Sequence, residues 1–99
     1  MIRLAAEKAM AGRPPIDRPV IVMMAAVFDI PKSFSKKRRA AALEGGEFPA
    51  KKPDLDNILK ALTDAMNGVV VKDDCQIVSV RSSKVYGPAP LVSVTVTPL

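Results

Sequence analysis

Val20-Ile21-Val22-Met23-Met24-Ala25-Ala26-Val27-Phe28 carries no charge over nine residues, opens after Pro19 and closes at Asp29-Ile30-Pro31. Its length leaves a short buried helix open, but Val and Ile favour the pleated conformation. The run therefore reads as a strand covered on both faces, around which the remaining elements assemble.

Toward the C-terminus, Gln76–Val85 and Leu91–Thr97 read as two further strands turned as a hairpin by Tyr86-Gly87-Pro88. In the last, Val92, Val94 and Val96 alternate with Ser93, Thr95 and Thr97, so one face is buried and the other wet. Arg81 and Lys84 either extend the basic surface or solubilise this hairpin, and the second is expected. Toward the N-terminus, Ile2, Ala5, Ala6, Ala9 and Met10 share one helical face. That helix is expected from about residue 2 to residue 11, ending at Gly12 before Pro14-Pro15.

Ser33 or Ser35 can cap a short helix through Lys36-Lys37-Arg38-Arg39-Ala40-Ala41-Ala42-Leu43, ended by Gly45-Gly46. Cations at a helix start oppose the dipole, so Lys36, Lys37, Arg38 and Arg39 are expected to meet an anionic partner such as DNA; a solvated face is the plainer reading. Residues 44–52 then form a loop expected to be mobile, with Lys51 and Lys52 placed to meet phosphates, or else an ordinary surface connection.

Five of the ten acids fall between positions 54 and 74. Leu55, Ile58, Leu59, Leu62, Ala65 and Met66 recur at helical spacing, with Pro53-Asp54 in front and Asn67-Gly68 behind. Asp54 is the expected N-cap, Asp56 and Asn57 lie in the first turn, and Asp56, Lys60 and Asp64 form a polar stripe. After Val69-Val70-Val71, Lys72-Asp73-Asp74 sits at a turn feeding a strand. If that strand packs beside the helix start, Asp74 meets Asp54 and Asp56. Like charges so gathered call for a cation. With no His and one Cys, an all-oxygen site is the metal site available, which favours Mg²⁺ or Mn²⁺ over zinc and removes His-based catalysis.

Pro53-Asp54-Leu55-Asp56-Asn57, Lys60, Asp64-Ala65 and Lys72-Asp73-Asp74-Cys75-Gln76-Ile77 together resemble the signature of the RusA family of Holliday-junction resolvases of bacteria and their prophages. The resemblance implies a single α+β domain over residues 1–99, a small mixed β-sheet with helices packed on it. It also implies a homodimer that uses Mg²⁺, with Mn²⁺ as an alternative, to nick four-way DNA junctions by paired cuts in recombination and repair. Carried over by position, Asp54, Asp56 and Asp74 bind the metal and Lys60 is the catalytic lysine, with Asp73 of lesser importance. Asn57 holds either the helix start or a metal-bound water. Family members usually begin with a strand and a basic segment, so the chain is expected to be shortened at its N-terminus, leaving a sheet edge uncovered.

The composition accommodates this reading. Fifteen Lys and Arg against ten Asp and Glu give +5 over 99 residues, which suits a polyanion or mere solubility. Residues 1–10 interleave Arg3, Glu7 and Lys8 with apolar residues, unlike a signal peptide, and residues 20–28 are too few to cross a bilayer. A cytoplasmic protein is expected, with Cys75 a buried or half-buried filler. Two other readings stand beside the nuclease: a non-catalytic basic DNA-binding module whose acids are structural, or an inactive truncated resolvase. Nucleotide hydrolysis lacks a Gly-rich phosphate cradle.

Overall fold

The computed structural model describes residues 9–99. The uncharged run forms strand β1, Val20–Asp29, and lies at the centre of a three-stranded sheet. β2, Ile77–Gly87, runs parallel to it from Val20↔Ile77 to Asp29↔Gly87, with an irregularity between Val20 and Ile21. β3, Leu91–Pro98, runs antiparallel from Val20↔Pro98 to Val27↔Leu91. The expected hairpin is therefore corrected: β2 and β3 are consecutive in sequence, yet β1 lies between them. Strands separated by one neighbour stand about 9.6 Å apart, which Pro88-Ala89-Pro90 can span at about 3.3 Å per residue. The two prolines also lack the N–H groups a tight two-stranded turn would use.

Alternation then sorts β1. Val20, Val22, Met24 and Ala26 are buried against Leu62, Met66, Val70 and Val71. Ile21, Met23, Ala25 and Val27 occupy the other face, where Met23 is 49% exposed. In register with them stand Ser79, Arg81 and Ser83 of β2 and Thr97, Thr95 and Ser93 of β3. Coverage on both faces is thus also corrected. The two helices are short, and the core lies on one side.

Helix α1, Lys36–Leu43, starts where Ser35 Oγ accepts the Arg38 N–H at 3.1 Å. It ends as Gly46 N–H reaches Ala41 O at 2.8 Å, after Gly45 at φ +83°. Helix α2, Leu55–Met66, faces the sheet with Leu62, Ala65 and Met66 buried, and stops at Asn67-Gly68. Gly68, at φ +79°, turns the chain so that its N–H meets Val71 O at 2.7 Å.

Ala9 and Met10 are helical and the chain turns at Ala11-Gly12, as the proposed stop requires; the rest of the expected first helix lies outside the described residues. Residues 16–18 are then stitched to residues 70–76. Ile16 N–H donates to Val70 O at 2.8 Å, Lys72 N–H returns to Ile16 O at 3.2 Å, and Lys72 pairs with Asp17 at 3.1 Å. This stitching fixes where the second acidic segment sits. The result is the expected α+β architecture with a small mixed sheet. Among the described residues, no helix is long and apolar enough to cross a membrane.

Candidate active site

The first acidic group is built by the start of α2. After a cis Lys52–Pro53 bond, Asp54 holds the N-cap position and its backbone C=O receives the Ile58 N–H at 3.1 Å. Its carboxylate, however, makes no capping hydrogen bond. The expected cap is correct in position and not in side-chain chemistry, which leaves both oxygens for another use. Asp56 Oδ1 accepts the Asn57 N–H at 3.0 Å. One turn on, Lys60 Nζ lies 3.3 Å from Asp64 Oδ2. Asp54, Asp56, Asn57, Lys60 and Asp64 are all exposed, because the helix spends its apolar stripe on the sheet.

The second group is a 3₁₀ turn, Asp74–Gln76, that packs against α2 just before β2. Asp73 caps it: its Oδ1 accepts the Cys75 N–H at 3.0 Å, and its own N–H donates to Gln76 Oε1 at 2.8 Å. The Gln76 amide nitrogen donates in turn to Ile16 O at 2.7 Å and Arg18 O at 2.9 Å. The Cys75 N–H, foremost, holds the Asp73 carboxyl below the usual range, and Asp73 in turn pushes the Cys75 thiol up. Cys75 is exposed, contrary to the expected filler, because the turn projects it outward. Asp74 is exposed as well.

These two groups are neighbours through their elements, yet among the described residues no three acids come close enough to hold a metal ion. The expected meeting of Asp54, Asp56 and Asp74 is corrected accordingly. Gln76 and Lys72 pin the turn to residues 16–18, and that anchorage sets where Asp74 stands relative to the start of α2. The carboxylates suit Mg²⁺ or Mn²⁺ in kind, since both take oxygen donors, and a bound cation would have to draw the two groups together.

The cations divide in two. Arg38 grips Glu47 with Nη2–Oε1 at 2.6 Å and Nε–Oε2 at 3.0 Å, while its guanidinium lies 3.7 Å above the Phe34 ring. The Arg38 hydrogen bonds hold the Glu47 carboxyl below the usual range. Arg39 reaches Pro31 O at 3.3 Å. Half of the expected DNA-binding run is thus engaged within the fold, although Arg38 stays exposed to water, and Lys36 and Lys37 are exposed beside it on α1. On the loop before α2, Lys84 Nζ donates to Lys51 O, and the Lys84 and Lys51 ammonium groups lie 5.1 and 5.9 Å from the Phe28 ring centre. Lys52 is exposed. Rather than hanging free, the loop is tied down at Glu47, at the buried Pro49 and at Lys51.

The family profile described as Endodeoxyribonuclease RusA matches residues 1–97, which takes in both acidic groups. The chain belongs to the RusA family. It is 39% identical over 83 residues to the uncharacterized protein YqaN of Bacillus subtilis (strain 168), an alignment covering 82% of this chain and 58% of YqaN. The chain thus spans just over half the length of that relative. No solved structure matches.

For this RusA chain, sequence reasoning missed three contributors to the candidate site: Gln76, Glu47 and Lys84. Gln76 stood inside the Asp-Asp-x-Gln block that carries the RusA resemblance, so a signal existed. Solubility is the plainer role for Lys84, but register places it beside Ala26 in the sheet, where its ammonium reaches Phe28 and the loop. Glu47 lies in a loop without periodicity, and nothing local marks it.

Proposed function

We propose that the protein is a structure-specific endodeoxyribonuclease that nicks four-way DNA junctions in pairs as a Mg²⁺-dependent homodimer in the cytoplasm. The observation that carries this reading is the RusA match over residues 1–97, within which the Asp54 carboxylate stands exposed and without a capping bond. Asp54, Asp56 and Asp74 would hold the metal. Bound there, it would supply an activated water and offset charge on the phosphoryl oxygens. Lys60, exposed beside this group, would stabilise negative charge developing at the phosphate or the leaving oxygen. Asn57 supports the helix start. Lys36, Lys37, Lys51 and Lys52 contribute a phosphate-binding surface that sets position rather than sequence preference.

The test is incubation with a synthetic four-way junction, with and without Mg²⁺, beside a linear duplex of the same sequence. Cuts confined to the junction and dependent on Mg²⁺ support the reading. Junction binding with no cuts at any Mg²⁺ concentration sinks it. That second outcome would favour a non-catalytic DNA-binding module or an inactive resolvase, a reading supported by the separation of the three acids among the described residues. Melting with and without Mg²⁺ separates the two: an ion-induced rise that Asp56→Asn abolishes belongs to a metal-binding nuclease.

A further inference from the structure

Phe48 is 61% exposed although both of its neighbours are held in place. Glu47 is gripped by Arg38 through two of its side-chain nitrogens, and Pro49 is buried. Two residues further on, Lys51 is tied through its carbonyl to Lys84. Single apolar residues on a surface are ordinary and by themselves signify nothing. Here, however, the backbone is anchored on either side of the ring, so the position from which the ring extends into solvent is fixed. The same short loop carries Lys51 and Lys52 and leads directly into Asp54. An aromatic ring presented to solvent, two phosphate-seeking cations and a candidate nuclease group therefore follow one another along eight positions, 47–54.

That combination is the chemistry of a stacking platform: cations track the backbone while a flat apolar face receives a base. In linear duplex every base is already stacked between its neighbours and offers no free face. At a branch point the stack is interrupted and a base can be displaced at much lower cost. We propose that Phe48 stacks on a base displaced at a DNA branch point, so that this loop distinguishes branched from linear DNA beside the candidate active site. This rests on the nuclease reading above and deepens it by assigning a residue to substrate choice.

The chain has no tryptophan, so Phe48→Trp introduces a single indole reporter at this position. Without divalent metal, adding a synthetic four-way junction should quench the Trp emission, whereas linear duplex of the same sequence should leave it nearly unchanged. Phe48→Ala should bind linear duplex as the parent does but lose about 5- to 150-fold in junction affinity, the range for one stacked base. A junction that is retarded in a gel while the emission stays constant overturns the proposal, as does a Phe48→Ala variant with unaltered junction affinity. Emission that shifts with protein concentration in the absence of DNA assigns the ring to a contact between copies and also overturns it. A parent chain that retards no junction overturns the nuclease reading itself, and the branch-point base with it.

Discussion

Lys60 and Asp64 meet across one turn of α2, Nζ to Oδ2 at 3.3 Å, with 77% and 58% of their side chains exposed. A pair so open to water contributes at most about 1 kcal/mol, so Asp64 holds the ammonium only loosely and leaves it able to turn toward a phosphate. Lys60→Ala should lower the single-turnover cleavage rate by about 10²–10³ with Mg²⁺ affinity little changed, as for a preorganised electrostatic group. Asp64→Ala should alter the rate by less than about fivefold, the kinetic equivalent of that weak pairing. A normal rate for Lys60→Ala at saturating Mg²⁺ would make the lysine structural.

Asp54→Asn, Asp56→Asn and Asp74→Asn should each abolish cleavage while junction binding stays intact or strengthens. Each change removes a candidate ligand and also one negative charge facing phosphate, so binding and chemistry should separate. The checks are gel retardation and cleavage on the same junction. Normal cutting by any of the three would remove that residue from the site.

The basic run of α1 should behave as two pairs. Lys36 and Lys37 are exposed, and neutralising both should weaken binding to every DNA form and reduce the salt-dependence slope by about 1.8, at about 0.9 per phosphate contact. Arg38→Ala should instead free the loop at Glu47, seen as faster proteolysis between residues 44 and 52. Equal salt slopes for the Lys36/Lys37 double variant and the parent would assign those lysines to a solvated face.

Acid should release the same loop late. The Arg38 hydrogen bonds depress the Glu47 pKa, so the contribution of this pair is fully present above the ordinary glutamate value of about 4.3 and is lost as pH falls through the lowered value of the folded state. Loop protection from an acid-tolerant protease should therefore persist below the ordinary glutamate range and decline only in stronger acid. In Glu47→Gln the loop should be cut readily at all pH values. An identical pH profile for both proteins would show that the pair does not hold the loop.

Gln76→Ala should destabilise the whole domain. It removes the amide that joins the 3₁₀ turn to the Ile16 and Arg18 carbonyls and also the acceptor for the Asp73 N–H. Each hydrogen bond of this kind contributes about 0.5–1.5 kcal/mol net. For a domain of this size each kcal/mol lowers the melting temperature by about 4–8 °C, so a thermal melt reads the effect directly. An unchanged melt would mean that water replaces the amide.

The two helices were legible because their boundaries are written locally. Ser35 and Gly45-Gly46 bracket α1, and Asp54 and Asn67-Gly68 bracket α2, each within a turn of the residues they terminate. The sheet order was not legible, since nothing in residues 77–98 states that a strand from residues 20–29 will separate them. The three-residue link at Pro88-Ala89-Pro90 reads as a hairpin turn unless the intervening strand is known. In the candidate site, residue types and their placement on a helix start and a turn followed from spacing. Whether Asp74 reaches Asp54 did not, because that depends on how residues 16–18 seat the turn. The capture of Arg38 by Glu47, nine positions away in no helical or strand period, was equally out of reach.

The central position of β1 also dictates an order of events during synthesis. Both of its hydrogen-bonding neighbours lie in residues 77–98, so when this apolar strand leaves the ribosome neither partner has yet been made. For the time needed to translate roughly fifty further residues, a few seconds at cellular rates, it must stay unpaired or lean on α2 alone. The sheet then closes late, with β2 synthesised before β3 and both pairing with an inner strand made well ahead of them, a non-local closure of the slow kind. The most apolar part of the chain is therefore also the part left longest without a partner.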